Sequence, residues 1–171
     1  MNIANFFVIL QKNNAMIQRK QTLFLAVALI SFVFLFIFPF ANFKLGTEIT
    51  CNISILTIQN LDGFTELNYM FILMQILTTL FMCLVGATIF TFKKRSLQVR
   101  LCAFAVLANI FLIGAMFIMT TMLTNKLQLP KDAMNYLLPA YLPLVTLLLV
   151  NFAQRAIRKD EAMVRSLNRL R

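Results

Sequence analysis

Hydrophobic residues of this chain are grouped into blocks of membrane-span length. Four uncharged stretches cover residues 21–43, 67–92, 101–125 and 133–154. Each is mostly Leu, Phe, Ile, Met and Val, and each can cross a hydrocarbon core of about 30 Å at about 1.5 Å per helical residue. The pattern predicts an all-α membrane protein, a four-transmembrane-helix bundle forming one domain over residues 1–171.

The polar segments between the spans fall into two groups by charge. Segments 1–20, 93–100 and 155–171 hold thirteen of the sixteen Lys and Arg residues. Loops 44–66 and 126–132 hold the other three, with four of the six acidic residues. Because basic residues accumulate on the cytosolic side of a membrane, we expect both termini in the cytosol and these two loops outside.

Composition supports lipid as the solvent: 60% of the residues are apolar and 13% are charged. A net charge of +10 would suggest nucleic acid for a soluble protein, but here the charges flank spans, so we expect lipid headgroups and no nucleic acid as partners. The chain has no His, and its three cysteines form no metal-binding or disulfide pattern. Cys51 lies alone in the first outer loop. We expect no cofactor, no metal and no enzymatic activity.

The first outer loop is the one segment with strand character. Ile49, Cys51, Ile53 and Ile55 alternate with polar, β-tolerant residues, which predicts a small hairpin packed on the outer end of the bundle. Asp62-Gly63 offers a tight turn before the second span.

Two features inside the spans concern helix packing. Span three carries a seam with small residues that allows close helix approach: Leu101, Ala105, Ala108, Leu112, Ala115 and Met119. In span four, Pro139 and Pro143 predict a bend that frees the carbonyls of Asn135 and Pro139.

Polar side chains within the spans are few. Gln75 and Asn109 are the deepest, and interhelical hydrogen bonds are the simplest explanation for both. The alternative is that the two together form a polar substrate site.

The C-terminal segment is predicted to extend span four as one cytosolic helix, because no Pro or Gly follows Pro143. Ala156, Met163, Leu167 and Leu170 share a face, and basic residues occupy the rest. Such a helix lies on anionic headgroups or docks on a protein. The candidate contact residues are Arg155, Arg158, Lys159, Arg165 and Arg169.

Both cytosolic flanks resemble those of a known family. Residues 16–23 (MIQRKQTL) and 155–161 (RAIRKDE), with the later basic positions of the tail, are similar to a family of small Bacteroidota membrane proteins known only as a domain of unknown function. The resemblance implies four spans in a bacterial inner membrane and carries over no activity. Residues 1–15 precede the usual start of that family. They are either a short interfacial helix, with Ile3, Phe6, Phe7 and Leu10 on one face, or an extension before Met16.

The leading hypothesis for function is a non-enzymatic accessory or scaffold subunit whose basic helix docks on a membrane complex or on the anionic leaflet. The alternative is a small oligomeric transporter or channel that uses the proline bend, Gln75 and Asn109. An enzyme is third, since Glu48, Asp62 and Glu66 have no diagnostic spacing.

Overall fold

The protein is mostly helical, with four α-helices and a small sheet. The computed structural model describes residues 21–45, 49–59, 68–91, 94–128, 130 and 133–169. The helices are α1 (Gln21–Ile37), α2 (Asn68–Phe90), α3 (Arg95–Lys126) and α4 (Leu142–Arg169). The strands are β1 (Ala41–Leu45), β2 (Ile49–Ile53), β3 (Ile58–Gln59) and β4 (Met134–Tyr136), and a 3-10 helix covers Leu138–Tyr141.

The four helices pack as a closed bundle. The Phe32 ring of α1 stacks on Phe81 of α2, with centroids 3.8 Å apart, and Phe24 of α1 meets Phe152 of α4 at 6.4 Å. α3 packs between α2 and α4. The predicted seam of α3 is confirmed at five of its positions, which are buried: Ala105, Ala108, Leu112, Ala115 and Met119.

The outward faces of the helices remain apolar. Side chains such as Ile37, Ile72, Phe111 and Leu148 are more than half exposed. Within the described residues, Asn68–Phe90, Arg95–Lys126 and Leu138–Met163 are long and apolar enough to cross a membrane, and Gln21–Ile37 is a shorter apolar helix. An apolar surface around every helix is the pattern of a bundle solvated by lipid.

The sheet covers one end of the bundle, which we call the sheet end. Its strand order is β3-β2-β1-β4, and all pairs are antiparallel. The β1–β2 pairing confirms the predicted hairpin, and Phe43, Cys51 and Ile53 are fully buried in it. The second loop completes the sheet through β4, which the sequence analysis did not predict.

The first predicted span was too long at its outer end. Helix α1 ends at Ile37 and not at Phe43, and Ala41 already belongs to β1. Pro39 is the physical reason, because a proline disfavours helical backbone at the residue before it. After the turn, the Phe40 amide donates to the Ile53 carbonyl at 2.9 Å.

The fourth predicted span began too early. Residues 134–136 form β4, paired with β1 from Ala41 to Phe43, and the Leu137 amide donates to the Phe40 carbonyl. Pairing with β1 satisfies the backbone of this apolar segment on one side, and β4 is an edge strand of the sheet. Hydropathy alone therefore could not separate the two structures.

The expected bend at Pro139 and Pro143 is also corrected. Pro139 lies in the 3-10 helix and Pro143 in the first turn of α4, where a missing N–H costs no helical hydrogen bond. The Pro139 carbonyl accepts from the Leu142 amide, and Asn135 lies in β4. The two prolines therefore mark where the helix begins.

At the opposite end the helices reach beyond their predicted spans. α3 begins at Arg95, inside the predicted loop 93–100, and α4 continues to Arg169. The prediction that span four extends past Gln154 as one helix is confirmed. The proposed helix within residues 1–20, the Asp62-Gly63 turn and the three loop carboxylates Glu48, Asp62 and Glu66 lie outside the described residues.

Candidate functional site at the basic end of the bundle

The bundle end opposite the sheet, which we call the basic end, is built by the beginning of α3 and the last turns of α4. Along α4 the buried positions Val150, Ala153, Ile157 and Asp160 follow helical spacing. The inward face of α4 therefore continues six residues past Gln154. The predicted apolar face is a different one, because Met163 is 40% exposed and Ala156 only partly buried, and the side chains of Leu167 and Leu170 lie outside the described residues.

An ion pair fixes this extension to α3. The Arg95 guanidinium lies 3.2 Å from the Asp160 carboxylate, and the same nitrogen is 3.4 Å from the Asp160 carbonyl oxygen. Asp160 is 5% exposed and Arg95 30% exposed. A carboxylate this buried needs a cationic partner, because removing it from water costs several kcal/mol.

Two buried amides add further links between helices at this end. Gln98 of α3 donates to the Thr88 carbonyl of α2 at 2.9 Å, and Gln154 of α4 donates to the Val99 carbonyl of α3 at 3.1 Å. Together with the ion pair, these bonds join α2, α3 and α4 at one level. The Oδ1 atom of Asp160 is buried and has no hydrogen-bond partner among the described residues.

The other cations of this end whose side chains the structure describes are exposed. We define the basic surface as the exposed residues Lys94, Arg100, Arg155, Arg158 and Lys159. The only acidic residues that the described part of this end contains are the paired Asp160 and the half-buried Glu161. Three of the five predicted contact residues therefore lie on a helix held against the bundle. The side chains of Arg165 and Arg169 are outside the described residues.

The Arg95–Asp160 pair was not predicted from the sequence. The available signal was spacing, because Asp160 lies seven residues after Ala153 and so shares the inward face of α4. Nothing in the sequence indicated which cation would meet it across 65 residues of chain.

Asn109 and Gln75, the two residues predicted to form interhelical hydrogen bonds, have different kinds of partner. Asn109 is fully buried, and its amide donates to the Pro143 carbonyl and the Thr146 hydroxyl of α4 at 2.9 and 3.0 Å. Gln75 instead donates to the Leu56 carbonyl at 3.3 Å, in the irregular segment between β2 and β3. This bond therefore joins α2 to the segment between two strands and does not join two helices. The two side chains do not form the joint substrate site that the transporter hypothesis requires.

The cysteines lie apart in different environments. Cys51 is fully buried in the sheet, Cys102 is buried in α3 and Cys83 is exposed on α2. Burial raises the pKa of the Cys51 thiol above its ordinary value. Within the described residues, no three His, Cys, Asp or Glu side chains are grouped so that they could hold a metal ion.

Comparison with known proteins identifies a family and no activity. A search of the curated proteins finds no match to the chain. A family model described as a domain of unknown function matches residues 17–170, which covers the four helices, the sheet and the basic surface. The chain therefore belongs to the family DUF4293.

Proposed function

We propose that the protein is a four-span integral membrane protein with its basic end in the cytosol. The apolar outward faces of all four helices support this arrangement. α1 covers about 26 Å over its described residues, close to the thickness of a hydrocarbon core of about 30 Å. The positive-inside rule supports the orientation, and the bacterial inner membrane follows from the family resemblance.

Within that arrangement we propose a non-enzymatic accessory or scaffold role, in which the basic surface docks on an acidic face of a membrane complex. The carrying observation is that α4 leaves the span without a break and is then held by the Arg95–Asp160 pair. Arg155, Arg158 and Lys159 are consequently presented on a fixed helix. A fixed display reduces the conformational entropy lost on binding a protein.

Anionic lipid is the competing occupant of the same surface. Each basic residue near an anionic leaflet contributes about 1 kcal/mol, and the predicted fourth span ends at Gln154, with Arg155 next to it. Arg165 and Arg169 lie farther along the helix, beyond much of the leaflet field at a screening length of about 8 Å. We therefore assign Arg158, Lys159 and the turns beyond them to the protein partner, and Arg155 to the headgroups.

Site-specific photocrosslinking in native membranes tests this role. A photoreactive residue at the exposed position Ala162 should give a protein adduct of defined mass. Charge reversal by Arg158→Glu with Lys159→Glu should abolish that adduct. The matched control, Arg158→Lys with Lys159→Arg, keeps both charges and should retain it.

Membrane insertion and abundance are measured for each variant. The adducts are compared only if the charge-reversed variant is inserted in the membrane and as abundant as the wild type. Lipid adducts alone in all three proteins would contradict the scaffold role and leave the surface as a headgroup contact. An identical protein adduct in the reversed variant would show that the basic surface does not carry the docking.

A further inference from the structure

The sheet end contains an open cavity that neither the bundle core nor the proposed docking explains. It lies between the last turns of α3 and strand β4 and has a volume of about 270 Å³. We call it the threonine groove, and its lining is Thr120, Thr121, Thr124, Asn125, Met134 and Tyr136. None of these side chains is charged.

An apolar crevice of about 20 Å³ adjoins the groove through Tyr136, which lines both. Its other walls come from α3 and the 3-10 helix, with Ile113 two turns below Thr120 on α3. Polar lining close to the end of the span and apolar lining deeper along it match the two parts of a lipid molecule. A single water-soluble ligand would not need the apolar part.

The hydroxyl protons of the groove are already used in hydrogen bonds within the protein. Thr121 donates to the Phe117 carbonyl at 2.8 Å, and Thr124 donates to the Thr120 carbonyl at 2.8 Å. Thr120 also donates to the Phe117 carbonyl, at 3.0 Å, so its 3.2 Å contact with the Tyr136 hydroxyl must use the tyrosine proton. Each hydroxyl carries only one proton. Thr120 is only 2% exposed, so the oxygens of Thr121, Thr124 and Tyr136 are the ones that face a ligand as acceptors. Asn125 is the one lining residue whose side chain retains N–H donors.

Such a wall complements a group that is rich in donors. A primary ammonium brings three N–H donors and a positive charge, whereas a quaternary ammonium brings no donor. The Tyr136 ring, which lines the groove, adds an aromatic group that can attract a cation. Among the described residues, no basic side chain lines the groove to repel that charge.

We propose that the threonine groove binds a phospholipid with a primary ammonium head, of the ethanolamine type, from the leaflet at the sheet end. The ammonium is placed among the hydroxyl oxygens of Thr121, Thr124 and Tyr136, and the acyl chain lies along the lipid-facing side of the bundle, over the opening of the crevice. The proposal rests on the chain lying in a membrane. It is independent of the scaffold role, which concerns the opposite end.

Native mass spectrometry of the detergent-purified full chain tests the selectivity. The protein is incubated with equal amounts of three lipids that share acyl chains and carry ethanolamine, choline or glycerol heads. We expect the ethanolamine lipid to be retained about tenfold better than the choline lipid, since one hydrogen bond to a charged group is worth about that factor. Equal retention of all three would overturn the proposal.

Isosteric variants locate the site. Thr121→Val with Thr124→Val removes two acceptor oxygens at nearly constant volume and should reduce the preference about tenfold. Tyr136→Phe keeps the ring and should have a smaller effect. Thr79→Val changes an exposed threonine of α2 outside the groove and should leave the preference unchanged.

Folding is checked by thermal unfolding of each variant, and the total lipid bound provides a second readout. Unchanged selectivity in a folded double variant would contradict the assignment to this groove. A loss of all three lipids together would identify an apolar contact without headgroup recognition, which also contradicts it.

Discussion

The two ends of the bundle place polar groups in opposite ways. At the basic end the key polar atoms are side chains buried between helices, with Arg95, Gln98 and Gln154 each reaching a neighbouring helix. At the sheet end most polar contacts are backbone hydrogen bonds within a four-stranded sheet, and the side-chain oxygens face an open groove. Side chains thus fix the helices at one end, and strand pairing fixes them at the other.

The difference shows which end can accept a ligand without rearrangement. Breaking a side-chain link at the basic end leaves a buried charge or amide unsatisfied, which costs about 1–3 kcal/mol or more. Changing a groove residue at the sheet end leaves the strand ladder intact. Binding chemistry can therefore vary at the sheet end, whereas at the basic end it is confined to the exposed cations.

Cysteines introduced at the two ends of the bundle should differ completely in their labelling from outside the cell. With the native cysteines replaced by alanine, Lys44→Cys at the sheet end should react with a membrane-impermeant maleimide in intact spheroplasts. Arg158→Cys at the basic end should react only after permeabilisation, as the positive-inside rule requires. Both parent side chains are exposed, so accessibility differs only by membrane side. Labelling of Arg158→Cys in intact spheroplasts would reverse the orientation.

The native thiol at the sheet end provides a control. Cys51 is fully buried, and its raised pKa leaves less thiolate at pH 8 than an ordinary cysteine has. In the otherwise wild-type folded protein it should stay unlabelled until denaturant is added. Rapid labelling without denaturant would show that the sheet opens readily.

Removing the Arg95 charge should produce the largest loss of stability. Arg95→Met leaves Asp160 buried without a cation, and we expect the free energy of unfolding in detergent to fall by about 2 kcal/mol, less than for a fully buried pair because Arg95 is 30% exposed. Arg95→Met with Asp160→Leu should recover most of it. The exposed Arg100→Met is the matched control and should change it by less than about 0.5 kcal/mol. Equal losses of stability in Arg95→Met and Arg100→Met would show that the ion pair does not stabilise the contact between α3 and α4.

Substitutions of the two polar span residues, Asn109 and Gln75, should lower the free energy of unfolding by smaller and unequal amounts. Asn109→Leu loses two bonds between α3 and α4 and should cost about 1 kcal/mol. Gln75→Leu loses one long bond of a half-buried side chain and should cost less than about 0.5 kcal/mol. Asn151→Leu, whose amide bonds within its own helix, controls for loss of an asparagine. A larger loss from Gln75→Leu would show that α2 depends on the sheet more than on helix packing.

Hydropathy predicted the long helices, and the spacing of small residues predicted the buried seam of α3. Hydropathy alone does not separate the two faces of a span, because lipid-facing and core-facing residues are both apolar. The end of α1 was also readable, since Pro39 stands in the sequence. Strand β4 was not, because Met134 to Tyr136 differs from helix only through its pairing with β1. The Arg95–Asp160 pair and the threonine groove depend on which helices become neighbours, and one sequence does not specify that.

The β1–β4 pairing also has a consequence for biogenesis. β1 and β2 are synthesised long before β4, so during translation β1 has one partner and one unpaired edge. Unpaired edges are templates for association with other chains, and the long sequence separation makes this the slowest contact of the sheet to form. A nascent chain that stalls before Met134 therefore leaves the edge of β1 unpaired. Pairing with β4 replaces that five-residue edge with one of three residues, and short edge strands are poorer templates for association.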